Sequence, residues 1–208
     1  MSAALVKELR ERTGLGLLEC KKALAEANGD VDAAIEALRK SSGMKAAKKA
    51  GRTAADGVVA IKAAEDGAFA TMVEVNSETD FVARDETFLA FVGAVVDKAM
   101  SQRITEVAAL AADDIEDARQ ALVQKIGENI SVRRVVAHEV EDGVIGGYVH
   151  GNHRIAVLVS LKGGSEDLAR DVAMHIAALN PQVVSPADMP EEVVAKEREI
   201  YAARAAGS

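Results

Sequence analysis

The 208-residue chain is 49% hydrophobic and 28% charged, with a formal net charge of −8, a profile that allows a sizeable core in one large or two to three small domains. Its apolar stretches are interrupted by charges well short of the ~20 residues a membrane helix needs, and the opening Met-Ser-Ala-Ala-Leu-Val-Lys-Glu lacks a signal-peptide pattern, so no membrane partner is expected and the protein is read as cytoplasmic. Cys20 is the single cysteine, which leaves no disulfide framework and no cysteine metal cluster.

The first fifty residues predict three short helices. Leu5, Leu9 and Arg12 open the first, Thr13-Gly14-Leu15-Gly16 breaks it, and Leu17 to Ala27 form the second, with Leu17, Cys20, Leu24 and Ala27 on one face. That placement makes Cys20 a small buried hydrophobe. Asn28-Gly29-Asp30 reads as a stop and restart, Gly29 supplying a left-handed turn and Asp30 capping a third helix with Val31, Ala34, Ile35 and Leu38 on its apolar side. A bundle over residues 1–44 sits near the lower size limit for independent stability, which suits a recognition module better than a catalytic domain. Gly14-Leu15-Gly16 is no phosphate loop, because no strand precedes it and no third glycine follows at the required spacing.

A basic linker, residues 45–56, follows with Lys45, Lys48, Lys49 and Arg52. Residues 1 to 52 hold eleven Lys/Arg against seven Asp/Glu, so this part carries +4 and the rest of the chain −12. A dominant basic face, the footprint of a general nucleic-acid binder, is therefore absent, and the basic run is read as a solvated helix end and linker.

From residue 57 the period changes. Gly57 to Lys62 and Phe69 to Val75 are β-prone runs joined through Glu65-Asp66-Gly67, a hairpin signal. Next comes Ser77-Glu78-Thr79-Asp80-Phe81-Val82-Ala83-Arg84-Asp85, which sets an aromatic among turn formers and charges in a chain with no Trp, two Tyr and four Phe. Phe81 either tucks back as a hydrophobic staple or projects toward another molecule. Asp85 suits an N-cap for a helix carrying Phe88, Leu89, Val92, Val96 and Ala99. A second helical stretch spans Ala111 to Ile126, and Ser131 to Val136 alternates as a closing strand, completing a unit over 57–140.

An ungapped shift of 86 residues aligns this unit with a second one, residues 141–180. Gly57-Val58-Val59 matches Gly143-Val144-Ile145, Ala70 to Val75 matches Ala156 to Leu161, and Val82-Ala83-Arg84-Asp85 matches Leu168-Ala169-Arg170-Asp171. Seven of 37 paired positions are identical, and the apolar pattern is kept, so a duplicated hairpin-plus-helix unit is inferred, with antiparallel sheets and helices packed on them in an α+β fold. Copy two has Glu166-Asp167 where copy one has Asp80-Phe81; the shared scaffold does not require the aromatic, which favours a projecting Phe81.

All three prolines, at 181, 186 and 190, mark a boundary that opens the last segment, 181–208. Glu191 to Ala206 then reads as a charged helix with a thin stripe of Val193, Val194, Ile200 and Tyr201, which needs a partner as one arm of a coiled coil would.

No catalytic constellation stands out. His150-Gly151-Asn152-His153 falls in the hairpin turn of copy two without a neighbouring acidic or cysteine ligand, so it is read as a turn and no metal or cofactor is expected. Walker, nucleophile-elbow and zinc-protease motifs are missing. Lys125-Ile126-Gly127-Glu128-Asn129-Ile130 admits two readings: a ligand loop, or a helix end stopped by Gly127 and returned into a strand.

Leu5 to Gly14, Cys20-Lys21-Lys22-Ala23-Leu24, Thr79 to Arg84, and Lys125 to Ile130 with Arg133-Arg134-Val135 occur in an order and spacing that resemble the elongation factor Ts family over essentially the whole chain. The resemblance implies a non-enzymatic guanine-nucleotide exchange factor that binds elongation factor Tu and releases its GDP. It also implies that the N-terminal module is similar to a ubiquitin-associated (UBA-like) domain. Asp80 and Phe81, flanked by Thr79 and Val82, would enter the GTPase near its Mg²⁺ and phosphate site. Leu17 and Leu18 match the module's docking positions, as Leu where other members carry Met, and Ile126 and His150 correspond to further contacts. Longer members continue past Ser208 with a return arm, a final strand and a C-terminal module, so this chain is expected to be a fragment or a short member, and a homodimer or 2:2 assembly through the helical hairpin requires the missing arm. Two other functions are weighed: an interaction adaptor built on the small module, and an RNA-binding accessory using Lys45 to Arg52. Neither explains Phe81.

Overall fold

The computed structural model describes residues 2–206. Three helices open the chain: α1 (Ala3–Thr13), α2 (Leu17–Glu26) and α3 (Val31–Lys49). The Ser2 side chain caps α1 by accepting the Ala4 N–H, and Gly14, at φ 67°, ends it in the left-handed conformation. Asp30 caps α3 through the Ala33 N–H at 3.0 Å. Val6, Leu9, Leu15, Cys20, Leu24 and Ala34 close a small core between these helices. Cys20 is fully buried, while Leu17 lies at the rim, 45% exposed.

The third helix runs on into the expected linker as far as Lys49, where Ala46 is drawn into a second, larger core. That core lies between α3, the helices that follow and one face of an antiparallel sheet ordered β1 (Asp56–Ala63), β2 (Phe69–Ser77), β3 (Ser131–Glu139). Between β2 and β3 the chain makes a 3₁₀ turn (Val82–Arg84), α4 (Glu86–Gln102), the short α5 (Val107–Leu110) and α6 (Asp114–Ile126). Phe88, Val92, Val95 and Ala99 of α4 pack on Val58, Val73 and Val75 of the sheet. A bulge between Glu74 and Val75 shifts the β2–β3 register. The three-helix module joins this unit along α3 and α6. Glu19 accepts from Lys45 and, at 2.7 Å, from Gln124; Arg39 pairs with Asp117 at 2.8 Å; and Gly43 leaves room for Gln120.

Copy two consists of β4 (Val144–Val149), β5 (Ala156–Leu161) and α7 (Glu166–Leu179). The duplication holds to the residue in the hairpins. Gly57, at φ +132°, has no room for a Cβ, which would stand 2.2 Å from the Val75 carbonyl oxygen; Gly143, at φ +156°, meets the Leu161 carbonyl oxygen at the same 2.2 Å. Both the glycines and their opposing carbonyls differ by the same 86 positions.

The correspondence fails at the helix start. In copy two, Ser165 accepts the Leu168 N–H and α7 begins at Glu166, whereas the counterpart of that position, Asp80, lies in a turn and α4 begins only at Glu86. Asp171 is inside α7 rather than at a cap, so Asp85 and Asp171 are not structural equivalents and copy two does not build the same start. The physical reason lies beneath the helix. A Cβ at Gly146 would fall 2.4 Å from the Ala169 Cβ, so α7 approaches its hairpin over a bare glycine. The equivalent place in copy one is Ala60. There the chain turns through 3₁₀ geometry and breaks at Asp85 (φ −68°, ψ 133°) before the helix starts.

The second hairpin rests against β1. The Val59 N–H donates to the His153 carbonyl (2.8 Å) and the Ile145 N–H to the Gly67 carbonyl (3.0 Å), and Arg154 pairs with Asp56. Among the prolines, a capping box between Ser185 and Asp188 precedes α8 (Glu191–Ala206), which has no buried residue. Among the described residues no helix is long and apolar enough to cross a membrane.

Candidate functional site

The turn between β2 and α4 projects its one aromatic. Phe81 is 83% exposed, which excludes the hydrophobic staple; its neighbour Val82 takes the inward place and packs on the main core. Arg84 N–H donates to the Phe81 carbonyl (3.2 Å) and Asp85 N–H to the Val82 carbonyl (2.9 Å), fixing a single tight turn. Asp85 then caps α4, accepting the Thr87 N–H at 2.8 Å and the Phe88 N–H at 3.1 Å. The Thr87 hydroxyl and Phe88 N–H hold the Asp85 carboxyl below the ordinary carboxylate range, with burial opposing them and Lys125 adding charge.

The base of the turn is braced by the loop after α6. Glu128 Oε2 accepts the N–H groups of Glu78 (3.0 Å) and Thr79 (3.1 Å), and Oε1 accepts the Thr79 hydroxyl (2.7 Å). Glu78 answers in the opposite direction: its Oε1 accepts the Asn129 N–H at 2.6 Å and its Oε2 pairs with Arg52 at 2.7 Å. The buried Asn129 amide donates to the Arg52 carbonyl at 2.8 Å. Thr79 is thus engaged inward by the brace, as Val82 is by the core. Asp80 is half-buried and pairs with Arg84 at 3.0 Å.

The expected site residues fall into three groups. Asp80 lines a cleft with Arg84, Leu89 and the second hairpin's turn, Gly151 to Arg154. His150 is exposed just before that turn, its Nδ1 within 2.9 Å of the Tyr148 hydroxyl. Ile126, partly buried against the main core, ends α6 two residues before Glu128. Leu17 and Leu18 open α2, with Leu18 81% exposed, and Glu19 beside them ties α2 to Gln124 on the last turn of α6. Burial works to raise the Glu19 carboxyl, but hydrogen bonds from Lys45 and Gln124 outweigh it and leave the group below its ordinary range.

Among the described residues no group of three or more His, Cys, Asp or Glu is placed to hold a metal ion. The arrangement offers surfaces for contact: a braced exposed aromatic, a flanking turn, and an apolar helix start. The sequence placed Glu128 and Asn129 in a ligand loop or helix end and Arg52 in a basic linker, and gave neither them nor Glu78 a part in supporting the Phe81 turn. Glu128 and Thr79 are 49 positions apart, and no local pattern couples them; the one signal was a buried-type Asn beside an acid directly after a glycine stop.

A family model described as Elongation factor TS matches residues 78–208. Curated proteins named elongation factor Ts match nearly the whole chain. That of Saccharophagus degradans is 68% identical over 204 residues, covering 98% of this chain and 70% of the relative. The Teredinibacter turnerae protein is 67% identical over 205 residues with the same two coverages, and the Arthrospira platensis protein is 56% identical over 210 residues, covering 98% and 84%.

Proposed function

The chain belongs to the elongation factor Ts family, and on that premise we propose that it serves translation elongation as a guanine-nucleotide exchange factor for elongation factor Tu, acting in the cytoplasm by binding the GDP form and promoting GDP release. The observation that carries this reading is Phe81: an aromatic 83% exposed on a turn whose every other apolar neighbour is drawn inward. Large exposed aromatics on rigid supports are what interfaces use as anchors. In this reading Phe81 and Asp80 enter the GTPase beside its Mg²⁺ and phosphate site, Leu17 and Leu18 dock the three-helix module, and Ile126 and His150 widen the contact. The factor changes no covalent bond, so it is an exchange factor rather than an enzyme.

One phenylalanine cannot do this alone. Its burial is worth ~1.5–3 kcal/mol, whereas moving a two-state population from one extreme to the other takes on the order of 5.5 kcal/mol of differential affinity. The remainder falls to the docked module and the second hairpin. A dimer or 2:2 assembly through α8 would require a return arm to pair with it.

The RNA-binding alternative is weakened by the use of its cations, since Lys45 pairs with Glu19 and Arg52 with Glu78. Stopped-flow release of a fluorescent GDP from elongation factor Tu tests the proposal. Acceleration by this chain, and about tenfold or more slower release with Phe81→Ala, is expected. No acceleration by the unmodified chain overturns the exchange reading, and equal acceleration by both overturns the role of Phe81.

A further inference from the structure

The loop that ends α6 contacts the base of the Phe81 turn, and it does so with charge. We propose that Glu128 is the positioning residue of the Phe81 loop: its carboxylate gathers the Glu78 N–H, the Thr79 N–H and the Thr79 hydroxyl and so sets the direction in which Phe81 leaves the protein. This inference rests on the exchange reading above and gives the Gly127-Glu128-Asn129 segment a role in it.

Four features support the assignment. First, both oxygens of Glu128 are used on the two residues that precede Asp80, at 2.7 to 3.1 Å. Charge-assisted bonds of this kind are about twice as strong as neutral ones. Second, the brace is reciprocal, because Glu78 accepts the Asn129 N–H at 2.6 Å and is itself held by Arg52 at 2.7 Å. Neither loop moves without breaking bonds made by the other. Third, Thr79 relays the constraint forward: its carbonyl accepts the Ala83 N–H at 3.2 Å, closing the turn around Asp80, Phe81 and Val82. Fourth, the turn has less helical support than its counterpart. In copy two the corresponding residues are already the first turn of α7, whereas in copy one the exposed aromatic stands on a three-residue 3₁₀ turn, Val82–Arg84, that breaks at Asp85.

A preset direction matters because an aromatic that must order itself on binding gives up part of its interface energy. Glu128 acts through Phe81 and has no need to touch the partner.

The test uses the full chain with Glu128→Ala, Glu128→Gln, Phe81→Ala and the double variant that combines Glu128→Ala with Phe81→Ala. Two readouts are taken: amide hydrogen exchange at residues 78 and 79 in the free protein, and fluorescent GDP release from elongation factor Tu. The carboxamide of Gln can accept both N–H groups on its oxygen and donate to the Thr79 hydroxyl oxygen. Expected results are amides at 78 and 79 that exchange at least about tenfold faster in Glu128→Ala, GDP release about tenfold slower in that variant, and recovery to within about threefold of wild type in Glu128→Gln. In the Phe81→Ala background Glu128→Ala should add less than about twofold, since the group it positions is gone. Fully additive effects, or release unchanged in Glu128→Ala while wild type is active, overturn the positioning role. A wild-type chain that fails to accelerate release overturns the exchange reading itself, and the amide exchange then reports on the brace separately.

Discussion

Replacing Glu19 by alanine removes the carboxylate on which Lys45 and Gln124 converge, and with it a tie between α2, α3 and α6. The Glu19 side chain is 30% exposed and Lys45 44% exposed, so solvent screens part of the interaction. One charge-assisted bond and one bond to an amide at such a site together contribute about 1–2 kcal/mol. The buried Ser42 and Ala46 and the close approach of Gly43 to Gln120 are left in place, so the module loosens without unfolding. Urea denaturation at neutral pH should show a midpoint lower by about 0.5 M. The pH dependence provides the sharper check. Because Glu19 is held below its ordinary range when folded, its contribution is fully present above the unfolded carboxylate pKa and disappears as pH falls through the lower folded one. The stability gap between wild type and Glu19→Ala should therefore be constant above about pH 5 and shrink toward pH 3. A gap that is absent at pH 7, or that persists unchanged in acid, refutes the tie.

Three further substitutions probe the scaffold. Gly57→Ala should cost roughly 3 kcal/mol, from a positive φ and a collision with the opposite strand's carbonyl, while Gly51→Ala, with open space around it, should lie within about 0.5 kcal/mol of wild type; thermal unfolding of the pair decides. Asp85→Ala should cost about 1 kcal/mol through loss of the α4 cap, measured by chemical denaturation at pH 7. Its carboxyl is also depressed, so this cost too should fade as pH drops below the ordinary carboxylate range.

The elements that local chemistry dictates were legible in the chain. Asp30 and Asp85 cap where short acids precede apolar periodicity, Asp66-Gly67 turns the first hairpin, and Gly57 and Gly143 fall where the 86-residue shift places them. The repeat was over-extended by holding one offset through the helix starts. Ser165 with Glu166 and Asp167 behind it was a local cap signal in copy two, and the absence of a side chain at Gly146 let α7 begin early. The extent of α3 is less legible, because lysines mask the apolar position of Ala46, which is buried in a core that it shares with Leu122 and Val123 of α6 far along the chain. Within the site, the setting of Phe81 among turn formers and charges leaves a staple and a projecting aromatic both open, and the repeat comparison that favours projection assumes an equivalence the two helix starts do not have; exposure follows from a turn that sends Val82 inward in its place. The brace could not be anticipated, because Glu128, Glu78 and Arg52 meet only after two loops and a helix end are brought together.

As proposed, this chain favours elongation factor Tu without nucleotide over the GDP form, and Phe81 supplies part of the difference. The decisive comparison is the chain's affinity for the nucleotide-free and the GDP-bound GTPase, with Phe81 and with Phe81→Ala. Tighter binding to the nucleotide-free form is predicted, by a factor on the order of 10⁴, with Phe81→Ala reducing that ratio by about tenfold or more. Equal affinity for the two forms, or a ratio untouched by the substitution, would contradict the account.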